Sequence, residues 1–146
     1  MDVECGASNV ILTGFMASGK SSVGRALALR CSMRFVDTDT LISDRYGAIE
    51  EIFKRDGEDA FRQMEREVAT ELATLSGLVI ATGGRMMLDD HCAQFLGSKG
   101  RVFCLHASVE EIQRRYAADS QGPVRPLLAS SEAVSYTHLR AHETVL

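Results

Sequence analysis

Two things are missing from this 146-residue sequence: a long apolar run and a strong charge of either sign. No apolar run approaches the roughly 18 residues that a membrane-spanning helix needs, so we expect no membrane partner. Lys and Arg number 16 against 20 Asp and Glu, a net charge of -4 at pH 7. This balance argues against nucleic acid as a partner, although it permits a local basic pocket for an anionic ligand. The first residues lack the positive region of a signal peptide, so we expect a cytoplasmic protein.

Disulfide and metal-ligand patterns are missing as well. The four cysteines form no CxxC pair, and we expect them to be small buried or half-buried thiols. His138 and His142 are four residues apart and could share a helix face. No intervening Glu and no third ligand accompany them, so this spacing is better attributed to chance than to a metal site.

The hydrophobic residues that are present, 45% of the chain, fall in short runs that alternate with longer stretches of helical period. The length suits one domain. Strands are predicted at residues 9–13, 35–37, 78–81 and 102–105. Helices are predicted at residues 20–31, 40–46, 49–56, 58–75, 89–96 and 109–118, the last with Ser108 as N-cap. The apolar face of the first helix would carry Val23, Leu27 and Cys31.

Strands that alternate with helices predict an α/β fold, a three-layer α/β/α arrangement around a central parallel sheet. Ligands of such sheets bind at the carboxyl ends of the strands. The unusual polar clusters of this sequence all fall at such ends: residues 14–21, the pair Asp37 and Asp39, and residues 83–85. This coincidence predicts one ligand site at that edge of the sheet.

Residues 14–21, Gly-Phe-Met-Ala-Ser-Gly-Lys-Ser, match G-x-x-x-x-G-K-[ST] between a predicted strand and a predicted helix. The backbone N–H groups of such a loop point at phosphate oxygens, and the helix N-terminus adds a favourable partial charge. Lys20 would reach the β- and γ-phosphates, and Ser21 would ligate Mg²⁺. A Gly-rich turn with a solvated Lys is the alternative. The context favours nucleoside triphosphate binding, and no Asn-Lys-x-Asp motif suggests a GTPase.

Two charged groups are candidates for handling a second substrate. Of Asp37 and Asp39, one can hold Mg²⁺ through water, and the other can accept a proton from a substrate hydroxyl. A helix N-cap formed by Thr38 or Asp39 is the alternative, and both roles can coexist. Arg62 lies near the apolar face of its helix and suits bidentate capture of a carboxylate, with Glu65 close enough to orient it. A surface i,i+3 ion pair is the alternative there.

Two further segments complete the pattern. Gly83 and Gly84 follow the third predicted strand and allow a close backbone approach to a ligand. Arg125 belongs to an Arg-Pro-Leu-Leu segment after a Gly-Pro loop, where an arginine on a mobile flap would cover the phosphates and exclude water. Taken alone, an Arg before a Pro means little.

The clusters, in this order and spacing, resemble the motifs of the shikimate kinase family: the phosphate loop, Asp-Thr-Asp, Gly-Glu-x-x-Phe-Arg-x-x-Glu, Gly-Gly and Arg-Pro-Leu-Leu. The resemblance runs from about residue 9 to residue 128. It implies the nucleoside-monophosphate-kinase-like P-loop fold and Mg²⁺-dependent transfer of the ATP γ-phosphate to the 3-hydroxyl of shikimate. It also implies a place in aromatic amino-acid biosynthesis.

The resemblance implies a role for each matched residue. Mg²⁺ would bind Ser21 with support from Asp37, and shikimate would contact Asp39, Arg62 and Gly84. The catalytic groups would be Lys20, Asp39 and Arg125. ATP would contact a larger set: Ala17, Ser18, Gly19, Lys20, Ser21, Ser22 and the lid arginine Arg125.

The sequence departs from the family at two places. The family usually has three glycines where this chain has Gly83, Gly84 and Arg85, so Arg85 could crowd the substrate or add a second carboxylate contact. Past residue 128 the family pattern is lost. We therefore divide the chain into an incomplete P-loop kinase domain, residues 1–128, and a non-family tail, residues 129–146, that resembles a translated cloning scar. The last strand and helix would then be missing, and we expect little activity.

Two other functions stay open. Arg85 suggests a kinase for another hydroxy acid such as gluconate, although gluconate kinases usually show Asp-Leu-His-Pro in the loop where this chain has Asp39-Thr40-Leu41. A nucleotide-binding module without catalysis is the second alternative. In each case we expect a monomer with a small-molecule ligand.

Overall fold

The computed structural model describes residues 8–14 and 18–118, and these form four strands and six α-helices. The strands are β1 (Asn9–Thr13), β2 (Arg34–Asp37), β3 (Leu78–Ala81) and β4 (Gly100–Cys104). The helices are α1 (Lys20–Cys31), α2 (Thr38–Tyr46), α3 (Ile49–Asp56), α4 (Glu58–Leu72), α5 (Asp90–Ser98) and α6 (Val109–Ala118). A single 3₁₀ turn, Met86–Leu88, joins β3 to α5 and was not predicted.

The four strands form one parallel sheet in the order β2-β3-β1-β4, which confirms the predicted α/β fold. β1 pairs with both β3 and β4, and Asp37 at the end of β2 lies level with Ala81 at the end of β3. The carboxyl ends of β1, β2 and β3 therefore meet at one edge. The loops that follow these strands are brought together there, as the sequence predicted.

Alternate residues of the central strands face two separate cores, as the pleat of a strand requires. Ile11 and Ile80 point into the larger core, which α2, α3, α4 and α5 cover. Leu12 and Val79 point to the other face, where they pack with Ala28 of α1. Helices therefore cover both faces of the sheet, in the expected three layers.

The predicted packing face of α1 was right for Leu27, which is partly buried and packs against the core on that side, but wrong for Val23 and Cys31. The buried residues of this helix are Gly24 and Ala28, whereas Val23 is 43% exposed and Cys31 is exposed. A Cβ atom on Gly24 would lie 2.5 Å from the Phe35 ring, so α1 approaches the sheet too closely for a larger side chain. Two small residues together with Leu27 therefore mark the contact face.

The boundaries of three helices also differ from the predicted ones: α5 covers Asp90–Ser98 and not residues 89–96, and α2 and α4 differ as well. α2 begins at Thr38, because the carboxylate of Asp37 caps it by accepting a hydrogen bond from the Thr40 amide at 3.1 Å. The expected caps, Thr38 and Asp39, lie inside the helix. α4 ends at Leu72, three residues before the predicted end. The Ser108 cap of α6 is confirmed, since its hydroxyl accepts from the Glu111 amide at 3.1 Å.

Within residues 8–14 and 18–118, no helix is long and apolar enough to cross a membrane. Cys92 and Cys104 are buried thiols as expected, whereas Cys31 is exposed. Cys5, His138 and His142 lie outside the described residues, and so does the proposed tail, residues 129–146.

Candidate active site

The N-terminus of α1 is built to receive an anion. Gly19 precedes the helix in a left-handed conformation, with φ of 96°, which favours glycine. No side chain caps this end, and no acidic residue lies in the first turn. The amides of Lys20, Ser21 and Ser22 therefore face out at the positive end of the helix dipole.

Two side chains beside these amides fit a phosphate group. Ser18 is 8% exposed, and its Oγ has no hydrogen-bond partner within the described part of the chain. Lys20 Nζ folds back over the loop and donates to the carbonyl oxygen of Gly14 at 2.5 Å. A buried hydroxyl and an ammonium group converge on the same loop, which matches the donors that bound phosphates need.

The two candidate ligands of Mg²⁺, Ser21 and Asp37, are in direct contact. Ser21 Oγ donates to Asp37 Oδ2 at 2.7 Å, so the first turn of α1 and the end of β2 are joined. Mg²⁺ usually keeps several waters and takes only one or two protein oxygens besides substrate phosphates. Among the described residues, no cluster of three or more His, Cys, Asp or Glu could hold a metal without such a substrate. The hydroxyl and carboxylate present therefore fit a Mg²⁺ ion that arrives with a nucleotide.

The loops after β2 and β3 are in direct contact. The amide of Gly83 donates to Thr38 Oγ1 at 3.0 Å. A Cβ atom on Gly83 would lie 2.7 Å from Asp39 Oδ1 and 3.0 Å from Glu65 Oε2, so a larger residue here would have to displace the Asp39 carboxylate. Asp39 is thereby held against the turn that contains Gly84, and Glu65 approaches from α4.

Arg62 is the cation of this second cluster. Its guanidinium donates to Glu65 Oε1 at 2.6 Å and to Glu58 Oε1 at 3.1 Å, and its side chain is only 16% exposed. The i,i+3 ion pair foreseen as an alternative is present, but it is buried and not on the surface. Burial opposes the charge of Arg62, but Glu65 and Glu58 outweigh it and raise the pKa of the guanidinium.

Glu65 is an unusual carboxyl group because it is almost fully buried. Its side chain is 1% exposed, and Oε2 has no hydrogen-bond partner among residues 8–14 and 18–118. Burial raises the pKa of Glu65 to about 7 against the opposing effect of Arg62, while Asp39 and Asp89 add to the rise. Near neutral pH this group therefore exists in both protonation states.

The structure brings most of the predicted site residues to one edge of the sheet, in two adjoining groups. The first, the phosphate-loop group, contains Ser18, Gly19, Lys20, Ser21, Ser22 and Asp37. The second, which we call the acid group, contains Asp39, Arg62 and Gly84. Ala17 and Arg125 lie outside the described residues. Their roles stay predictions.

Sequence reasoning missed two members of the site. Arg115 of α6 reaches the phosphate loop, and its Nη1 would lie 3.7 Å from a Cβ atom on Gly19. Glu58 lies between two arginines, Arg62 and Arg85. Nothing in the local sequence marks Arg115, because its position depends on how α6 packs. Glu58 could have been found from its i,i+4 spacing to Arg62.

The chain is similar to known proteins over most of its length. A family model described as shikimate kinase matches residues 16–144. The chain belongs to the shikimate kinase family. The matched range runs past residue 128, and the division of the chain there stays a prediction. Shikimate kinase of Geobacter sulfurreducens is 45% identical over 132 residues, which are 90% of this chain and 71% of that protein. Shikimate kinase of Pseudomonas aeruginosa is 45% identical over 117 residues, 80% of this chain and 68% of that protein.

Solved structures of the family share the fold. The shikimate kinase from Acinetobacter baumannii in complex with shikimate is 34% identical, with a TM-score of 0.83 over 95% of this chain and 83% of that chain. The enzyme from Bacteroides thetaiotaomicron is 29% identical, with a TM-score of 0.81 over 92% and 80% of the two chains. A gluconokinase from Sinorhizobium meliloti is 21% identical over 94% and 80%, with a TM-score of 0.65, and shares the fold alone.

Proposed function

We propose that this protein is an ATP-dependent kinase that phosphorylates the 3-hydroxyl of shikimate. The observation that carries the proposal is the meeting of two groups at one edge of the sheet in a member of the shikimate kinase family. One group is a phosphate loop. In the other, Glu65 binds the Arg62 guanidinium and lies beside Gly83 together with the Asp39 carboxylate. A kinase for a hydroxy acid needs both.

The phosphate loop would bind the triphosphate of ATP. The open amides at the start of α1 and the buried hydroxyl of Ser18 supply neutral donors. Lys20 adds a positive charge, and its present contact with the Gly14 carbonyl would be exchanged for phosphate oxygens. Arg125 is proposed to cover the phosphates from the lid, and Arg115 to approach from α6.

Mg²⁺ is proposed as the cofactor. Ser21 would be its direct protein ligand. Asp37, which already accepts a hydrogen bond from the Ser21 hydroxyl, would hold a water of the ion's shell. When bound, the ion would neutralise charge on the transferring phosphate. The carboxylate of Asp37 would also fix the orientation of Ser21, since it is itself anchored as the cap of α2.

The acid group would hold the acceptor. Arg62 is proposed to bind the carboxylate of shikimate, and Asp39 to accept the proton of the hydroxyl that attacks the γ-phosphate. The backbone of Gly84 would add a contact to shikimate. Gly84 lies in the turn after β3, which lies against Asp39 because Gly83 has no side chain. Buried Glu65 would keep the Arg62 guanidinium in place through its 2.6 Å hydrogen bond.

We propose further that the protein acts as a monomer in the cytoplasm. The buried thiol of Cys92 fits a reducing compartment.

A coupled assay of ADP release with shikimate, with gluconate and without an acceptor would test the function. We expect release that depends on shikimate. Release with gluconate alone would favour the other hydroxy-acid kinase, which has no support at present beyond a shared fold. ATP binding without ADP release under any condition would favour a non-catalytic nucleotide-binding module.

A further inference from the structure

Arg85 belongs to the turn between β3 and the 3₁₀ helix, next to Gly84. Its Nη1 lies 3.4 Å from Glu58 Oε1. The same oxygen of Glu58 accepts from Arg62 Nη2 at 3.1 Å. One carboxylate oxygen therefore lies between two guanidinium groups that come from different elements, α4 and the turn after β3.

The three side chains differ in how firmly they are held. Arg62 is 16% exposed and is fixed from its other side by Glu65. Glu58 is 48% exposed and lies at the first position of α4, and Arg85 is 39% exposed. Ion pairs this exposed contribute little to stability, so Glu58 can leave the two arginines for water at small cost.

The position of the Glu58 carboxylate, between Arg62 and Arg85, is suited to the carboxylate of a substrate that enters the acid group. An incoming carboxylate can exchange for the Glu58 carboxylate without leaving either guanidinium unpaired. The charge between Arg62 and Arg85 stays the same, because one anion replaces another. A neutral polyol has no negative charge with which to replace that of Glu58, so it gains less from this position than a carboxylate does.

Building on the proposed function, we infer that Arg62 and Arg85 form a two-arginine clamp for the carboxylate of shikimate. Glu58 holds the place of that carboxylate until the substrate displaces it. Arg85 is thus a specificity-determining residue, which favours acids over neutral polyols.

The clamp can be tested by comparing Arg85→Ala with Arg30→Ala in the full chain. Arg30 is an exposed arginine in the last turn of α1, at the opposite edge of the sheet, so it controls for the loss of one positive charge. Calorimetric Kd and steady-state KM for shikimate should rise roughly fivefold or more in Arg85→Ala, as expected for a partly exposed charge-assisted hydrogen bond. The KM for ATP and the melting temperature should stay unchanged, and Arg30→Ala should match the unaltered protein.

A second substrate separates carboxylate binding from a general loss of shape. With the methyl ester of shikimate, which is neutral at that position, Arg85→Ala and the unaltered protein should bind equally. Glu58→Gln should bind shikimate more tightly, because the competing anion is gone.

Each contrary outcome overturns a definite part of this inference. Unchanged or tighter shikimate binding by Arg85→Ala overturns the clamp, and so does an equal loss of affinity for the ester. Weaker binding by Glu58→Gln overturns the place-holding role of Glu58. An unaltered protein that does not bind shikimate overturns the proposed function together with the clamp, whereas intact binding with no effect of Arg85→Ala overturns the clamp alone.

Discussion

Replacing Glu65 by Gln should remove a pH dependence from the stability of this protein. Glu65 is 1% exposed, with one carboxylate oxygen on Arg62 at 2.6 Å and the other without a partner among the described residues. Gln has nearly the same shape and can still accept from Arg62, but it cannot ionise. At a pH above the pKa of Glu65, the unaltered protein must keep a charged carboxylate buried, whereas the variant has no charge at this position.

The size and sign of the effect follow from the pKa of Glu65, which folding raises from 4.5 to about 7. Below pH 4.5 the Glu65 carboxyl group is protonated in both the folded and the unfolded state, so folding does not have to bury a charge there. Between pH 4.5 and about 7 the unfolded chain releases its proton first, so the free energy of unfolding falls as the pH rises. One pKa unit corresponds to about 1.4 kcal/mol, which gives a total fall of about 3 kcal/mol.

Urea unfolding of both proteins at pH 5, 6, 7 and 8 measures this effect. The free energy of unfolding of Glu65→Gln, relative to that of the unaltered protein, should increase by about 2 kcal/mol from pH 5 to pH 8. Glu67→Gln removes an exposed carboxyl group from the same helix and controls for the loss of one negative charge. A difference that stays constant over this pH range, or equals that of the control, would refute the reasoning.

Three further predictions concern the acid group, the metal and the core. Arg62→Ala should raise the KM for shikimate roughly 10- to 150-fold, with little change in the KM for ATP, because it removes a charge-assisted hydrogen-bonded contact. Asp37→Asn should raise the Mg²⁺ concentration for half-maximal rate roughly tenfold or more. The melting temperature should be nearly unchanged, since Asn also caps helices well. Ile80→Ala, at a fully buried position of β3, should lower the free energy of unfolding by about 2–5 kcal/mol in urea unfolding, whereas Leu29→Ala, which is 84% exposed, should change it little.

Each of these has a result that would contradict it. Equal changes in both KM values would show that Arg62 acts on the structure and not on the acid. A Mg²⁺ requirement untouched by Asp37→Asn would remove this carboxylate from the metal site. Equal losses of stability in Ile80→Ala and Leu29→Ala would contradict the placement of the core between the sheet and α4.

Much of the fold could be predicted because local signals agreed with tertiary packing. The helices 20–31, 49–56 and 109–118 and the strands 9–13 and 78–81 were predicted with the bounds the structure has. Their ends carry glycine or a polar cap, and their apolar runs are of the right length.

The errors arose where a contact distant in the sequence decided the outcome. The packing face of α1 is set by the approach of the Phe35 ring to Gly24, and no periodicity of apolar residues reveals such an approach. The 3₁₀ turn, Met86–Leu88, depends on Met86 being drawn into the larger core. The order of the strands in the sheet likewise depends on pairing between distant segments, which the sequence of any one strand does not reveal.

The candidate site was predictable to a similar extent. The motifs placed Lys20, Ser21 and Asp37 correctly at one edge, because the carboxyl ends of parallel strands must meet there. Arg62 lies on α4, and its position at this edge was not predicted from the strand ends. The partners of these residues were harder to predict. The cap on α2 proved to be Asp37, and the ion pair of Arg62 proved to be buried.

The most direct test of the central claim is the fate of the ATP γ-phosphate. The full chain is incubated with γ-labelled ATP, Mg²⁺ and shikimate, and the product is examined by NMR. We expect the label on the 3-hydroxyl of shikimate, and none with Lys20→Ala, which removes the charge beside the phosphates but not the fold. Label that appears only as inorganic phosphate, on another hydroxyl, or equally with Lys20→Ala would contradict the account.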